Sequence, residues 1–201
     1  MTQLITWESI EGLERRAPRL VATPDQHRAV AETITSWATD AASFYVDDGI
    51  TRAHLLLVGA EHLEMAGDLD GARRLAETAA AHPTAEPFGA YPTLISLAFA
   101  SGDTDQAVAL ADEVRAASDA GLHIILMIAE TFELNGDLAR AERWNTIGAR
   151  RASAGSLSPT EQYLTFLGGR FRARRDAGKP LDGLDDEAQE LRAEAGLAPL
   201  V

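Results

Sequence analysis

Cysteine is absent from this chain. Its absence excludes disulfides, thiolate zinc sites and a cysteine nucleophile together. Lysine is nearly absent as well: of 18 basic residues only Lys179 is one. Aromatic residues make up 6%, and β-branched runs are few. Long apolar runs are missing too. The most apolar stretch, residues 124–129, is far too short to span a bilayer. Residues 1–8 show no basic segment leading into an apolar core, so no signal peptide is expected. The expectation is a cytoplasmic protein with no membrane partner. Acids outnumber bases 31 to 18, a formal net charge of −13. A general phosphate-binding surface is therefore disfavoured, and nucleic acid is not the first partner expected.

Catalytic motifs are missing in the same way. There is no glycine-rich phosphate loop, no Gly-x-Ser-x-Gly and no His-Glu-x-x-His. Asp68-Leu69-Asp70-Gly71 resembles the start of a calcium loop but lacks the later ligands and the closing Glu. It reads as a helix turn. The sequence predicts no enzyme activity, no cofactor and no metal.

What the chain does have is a recurring corner. Ala66-Gly67-Asp68-Leu69-Asp70-Gly71-Ala72 is echoed by Ser101-Gly102-Asp103-Thr104-Asp105-Gln106-Ala107 and by Asn135-Gly136-Asp137-Leu138-Ala139-Arg140-Ala141. The glycines are 35 and 34 residues apart, and an Ala follows each Gly by five. An apolar helical pattern precedes each corner and an alanine-rich one follows. Gly supplies the left-handed conformation that ends one helix. The next residue, Asp, accepts from the free N–H groups that open the second helix. The small Ala lets two helices approach closely. A period in this range marks a stacked helix–turn–helix array. The predicted fold is all-α, one domain over 1–201.

Within it, residues 1–50 read as N-terminal helices. One spans about 3–20, with Leu4, Trp7, Ile10 and Leu13 on its apolar side. A second opens at the capping box Thr23-Pro24-Asp25-Gln26. It continues through Trp37 to Phe44 and Tyr45 and is closed by Asp47-Asp48-Gly49. Three hairpins follow over 51–153. Pro92 is tolerable only in the first turn of its helix. Residues 154–201 form C-terminal helices, the first opened by a capping box at Ser158-Pro159-Thr160-Glu161. Gly168-Gly169 inside that helix implies close helix packing. The last, over about 182–195, is acidic and suited to capping the end of an array.

The repeat resembles the tetratricopeptide repeat in its period, its corner Gly and the Ala early in the second helix. Gly59-Ala60 stands where that family places a Leu-Gly pair. Ala76, Ala111 and Asn145 stand where it places an aromatic, and Pro83 stands one residue before its closing Pro. Further on, Glu142-Arg143-Trp144-Asn145-Thr146-Ile147-Gly148, Tyr163-Leu164, Gly169-Arg170-Phe171-Arg172-Ala173-Arg174-Arg175 and Gly178-Lys179-Pro180-Leu181-Asp182-Gly183-Leu184-Asp185 follow in order. That order is similar to actinobacterial tetratricopeptide-like proteins that often carry a cysteine-rich SEC-C zinc module, which this cysteine-free chain lacks. The resemblance implies a right-handed α-α superhelix and a non-enzymatic scaffold for a protein or peptide partner.

In that architecture the first helix of each hairpin lines the concave face. Alignment on the glycines places His54, Leu57, Glu61, Glu64 and Met65 there from the first hairpin and Phe99 from the second. The third contributes His123, Leu126, Glu130 and Glu133, with Leu134 adding to the apolar floor. Two readings compete for the carboxylates: ordinary solvated helix surface, or a groove for a basic, partly apolar peptide. The second candidate surface is Arg170, Arg172, Arg174 and Arg175. Residues 140–179 carry nine bases and three acids, against the trend of the chain. The plain expectation is ion pairing with Asp182, Asp185, Asp186 and Glu187. The alternatives are a nucleic-acid-associated accessory role, or contact with the acidic surface of a partner or of another copy, giving a homo-oligomer.

Overall fold

The computed structural model describes residues 2–19, 21–117, 119–154 and 161–201. Its order is β1 (Gln3–Ile5), α1 (Trp7–Glu14), α2 (Pro24–Thr39), β2 (Phe44–Val46), α3 (Arg52–Met65), α4 (Leu69–Ala80), α5 (Tyr91–Ala100) and α6 (Thr104–Ala116). Then come α7 (Leu122–Leu134), α8 (Leu138–Ser153), α9 (Glu161–Asp176) and α10 (Gly183–Glu194). The chain divides into two compact units, Met1–Ala116 and Ala117–Val201. Among the described residues the all-α expectation holds apart from one short pair of strands.

The three corners adopt one geometry. Gly67, Gly102 and Gly136 have φ of 79°, 77° and 76°. At each, the Gly N–H and the following Asp N–H donate back to carbonyls of the preceding helix, as in Gly67 to Glu64 and Asp68 to Leu63. At each, the Asp carboxylate then accepts from a backbone N–H three residues on: Gly71, Gln106 and Arg140, at 2.9–3.0 Å. Ala72, Ala107 and Ala141 are fully buried, as are Ala76, Ala111 and Asn145. Pro92 falls in the first turn of α5, where its missing N–H costs nothing.

Two N-terminal expectations are corrected. Residues 3–20 do not form one helix. Thr6 and Ser9 make a capping box that starts α1 at Trp7, and the residues before it pair in parallel with β2. The pairing buries Ile5 completely and leaves Leu4 exposed, so the apolar stripe read as helical is split between two kinds of backbone. The second helix ends at Thr39 and not at Tyr45. The Asp40 carboxylate accepts from the Ala42 and Ser43 N–H groups and turns the chain. Arg52 then donates at 2.8–2.9 Å to the Trp37 and Ala38 carbonyls, which the helix end leaves open, and to the Phe44 carbonyl on β2. The capping box at Thr23 and Gln26 is present as expected. The one expected at 158–161 lies outside the described residues.

The first unit has its main core around Ile34, Leu55 and Leu56. A second cluster of Ala60, Ala72, Ala76 and Leu97 is filled in by Leu57 and Leu75. Gly59 lets α3 come close to its neighbours: a β-carbon there would stand 3.1 Å from Thr35 Oγ1 and 3.3 Å from a Leu75 methyl. In the second unit α7 contributes Ile124, Ile125, Ile128, Ala129 and Phe132, each at most 1% exposed. There α8 and α9 pack without room for a methyl at two places. A β-carbon on Gly148 would overlap the Phe166 ring, and one on Gly169 would overlap the Asn145 carboxamide. The expectation that the Gly pair marks close packing is met at Gly169.

Candidate functional site

Six of the ten residues expected on the concave face belong to the first unit, and four to the second. In the first unit His54, Leu57, Glu61, Glu64 and Met65 lie along α3 and Phe99 on α5, all half-buried. Glu61 takes an ion pair from Arg19. Glu64 accepts from Ser96 Oγ on α5 at 2.7 Å, tying the two hairpins together. Burial raises the Glu64 pKa against that hydrogen bond. His54 stands edge-on to Trp7, with ring centroids 5.2 Å apart. Burial lowers its pKa, while Glu61 and Glu14 pull the other way. These carboxylates are partnered and not simply solvated.

The most distinctive polar feature of this unit was not anticipated from sequence. His27, in the first turn of α2, and His62, in the last turn of α3, are each 2% exposed. Their Nδ1 atoms are 2.9 Å apart, so one ring donates and the other accepts across a single shared proton. Burial, with the neighbouring His27 and Arg19, pushes the His62 pKa down to about 4, and that ring is neutral near pH 7. Its Nε2 lies 3.9 Å from a Glu14 carboxylate oxygen, beyond hydrogen-bond reach. Beside it opens a cavity of about 500 Å³ lined by Glu11, Glu14, Arg15, Arg19 and His62. The two histidines sit at opposite ends of consecutive helices, 35 residues apart, and nothing local in the sequence pairs them. Among the described residues no group of three or more His, Asp or Glu is placed to hold a metal ion.

In the second unit the structure joins the two candidate surfaces that the sequence kept apart. Glu133 on α7 receives both Nε and Nη2 of Arg172 on α9, at 3.0 and 3.1 Å. Glu130, Glu133, Leu134 and Arg172 line a cleft of about 280 Å³. His123, Met127, Glu130 and Leu134 form an exposed stripe at helical spacing on α7. Met127 is 40% and Leu134 87% exposed. Leu126 is half-buried beside that stripe.

The rest of the arginine patch is an internal ion network. Arg170, 5% exposed, donates from Nη1 to Asp182 at 2.9 Å and to Asp185 at 2.8 Å, and Nη2 pairs with Asp182 as well. Arg174 donates from Nε to Asp185 at 2.9 Å and from Nη1 to Glu142 at 2.7 Å. Lys179 adds a further bond to Glu142. The Arg170 hydrogen bond holds the Asp182 carboxyl down at about 2. Burial works against the Glu142 charge, but Lys179 and Arg174 outweigh it and hold its pKa low. Arg175 pairs with Asp176. Pairing with Asp182 and Asp185 was expected. Glu187 instead accepts from the Tyr163 hydroxyl at 2.8 Å, and burial, helped by that hydrogen bond, pushes the Tyr163 pKa up to about 12. Among the described residues, Arg170 Nε and Asn145 Oδ1 are buried without a hydrogen-bond partner.

Comparison with protein families, with curated proteins and with solved structures finds no match to this chain. Function therefore rests on the chemistry of these surfaces.

Proposed function

We propose that this chain is a non-enzymatic, tetratricopeptide-like scaffold that binds a basic, partly apolar segment of a protein partner. The observation that carries the reading is the exposed stripe of α7. One face of that helix is sealed into the core, while the other leaves Met127 and Leu134 in water beside Glu130. Large exposed apolar side chains flanked by charge mark interaction surfaces. The cleft beside Leu134 has room for one inserted side chain, and Glu130 supplies the charge to select a cation next to it. Three identically built corners also support an array of hairpins, the architecture that such scaffolds use.

The arginine helix lends less support to a nucleic-acid role. Each of its four arginines is engaged by a carboxylate of this chain.

Selection from a displayed peptide library tests the proposal. The expected winners combine Lys or Arg with Leu or Phe at helical spacing. They should lose about tenfold or more in affinity, roughly 1.4 kcal/mol, with Leu134→Asp and again with Glu130→Lys. Winners without basic residues, or binding that ignores both substitutions, would refute it.

A further inference from the structure

Residues 197–201 fold back onto the second unit and are held through their backbone. Gln189, on α10, uses both ends of its carboxamide on one residue. Its Nε2 donates to the Leu200 carbonyl at 2.9 Å, and its Oε1 accepts from the Leu200 N–H at 3.0 Å. Arg192 Nε donates to the Ala198 carbonyl at 2.8 Å, and Arg175, on α9, donates to the main-chain oxygen of Val201. The Leu200 side chain is partly covered and lies over bare helix backbone: one of its methyls is 3.9 Å from where a β-carbon on Gly168 would stand. The rest of the segment is exposed, with Leu197 at 46% and Val201 at 86%.

A primary carboxamide presents one donor side and one acceptor side, as a peptide group does. Pairing both with a single residue reproduces one rung of a β-ladder without a strand, and main-chain pairing of this kind reads an extended segment whatever its side chains. Selectivity then comes from the Leu200 position. Pro199 adds shape, since it disfavours helix at Ala198 and keeps the segment extended. The apolar area covered is small, so attachment in cis is what keeps the site filled: a short tether supplies an effective concentration in the millimolar range. Gly196, with φ of 67°, ends α10 and begins the excursion.

We propose that this α9–α10 surface is a peptide-docking site that takes an extended, uncharged segment of the form Ala-Pro-Leu-aliphatic. Residues 197–201 occupy it in cis and close it against weaker competitors. The site is separate from the α7 stripe and stands whether or not that stripe binds a partner.

The experiment uses the full chain with Leu200→Pro. This change removes both the N–H that Gln189 accepts from and the leucine side chain, in an exposed segment. A fluorescent peptide Gly-Leu-Ala-Pro-Leu-Val, amidated, is then titrated by anisotropy. L200P is expected to bind it about tenfold or more tightly than the unaltered chain does. Adding Gln189→Ala to L200P should abolish the gain. No gain in L200P, or a gain that survives Q189A, overturns the proposal. A second measurement needs no change in the segment itself: the Leu200 amide should be protected from hydrogen exchange in the unaltered chain and lose that protection in Q189A. Exchange of that amide at the unprotected rate in the unaltered chain overturns the proposal equally.

Discussion

The two units bury polar groups by opposite means. In the first, His27 and His62 enter the interior as an imidazole pair joined by one Nδ1–Nδ1 hydrogen bond, with the His62 ring neutral near pH 7. In the second, Arg170 and Asp185 enter as full charges, with Arg174, Asp182 and Glu142 around them. A neutral buried ring such as His62 needs no counter-ion but destabilises the fold once protonated. A charged network tolerates a wide pH range but fails badly when one member is removed, because the remaining charges stay buried without compensation. The first unit is thus sensitive to acid, and the second to substitution.

The largest expected effect follows from that contrast. Asp185→Ala leaves Arg170 and Arg174 short of a shared carboxylate and should destabilise the second unit by about 3–5 kcal/mol in denaturant titration. A loss below about 1 kcal/mol would mean that Asp182 and Glu142 carry the charge balance alone.

The next concerns pH. His62 has a folded pKa near 4 against an ordinary value of 6.5, so it is depressed. Its contribution is fully present above pH 6.5 and is lost as pH falls from there through about 4. The loss is on the order of 3 kcal/mol across that window. His54, also lowered, acts in the same direction. Asp182, lowered to about 2, keeps its contribution until pH falls below 3.8. Tryptophan separates the two units: Trp7 and Trp37 report the first, and Trp144 the second. With Trp144→Phe, the unfolding midpoint should fall between pH 6.5 and 4. With both Trp7 and Trp37 replaced by Phe, it should stay level until lower pH. Coincident transitions would break the comparison. Replacing His27 and His62 together by Leu should flatten most of the first slope.

Smaller effects test the packing. Gly169→Ala pushes a methyl into Asn145 and should cost the second unit about 1–3 kcal/mol. A β-carbon at Gly67 has open space around it but a left-handed backbone. Gly67→Ala should cost the first unit only about 1 kcal/mol. A reversed order in thermal melts would show that α8 and α9 yield at their contact.

Much of the fold was legible because its signals are local. A Gly that must turn left-handed, an Asp that caps and an Ala that must be small all act within a few residues of one another, and all three corners formed as read. The strands β1 and β2 were not legible, since Leu4, Trp7, Ile10 and Leu13 fit a helical stripe until Thr6 caps it and the chain before pairs with the distant residues 44–46. The candidate site was legible only in part. Glu130, Glu133 and Leu134 were placed on one helix, but nothing in the spacing said that Arg172 would seat on Glu133. His27 and His62 carried no local signal at all.

By itself, then, the amino-acid order determined where the three Gly-Asp corners end one helix and open the next, because caps and turns satisfy backbone groups with near neighbours. Tertiary structure alone decided that Arg172 seats on Glu133 and that the two imidazoles meet. Those outcomes depend on side chains brought together from distant helices, and on the cost of burying each without its partner.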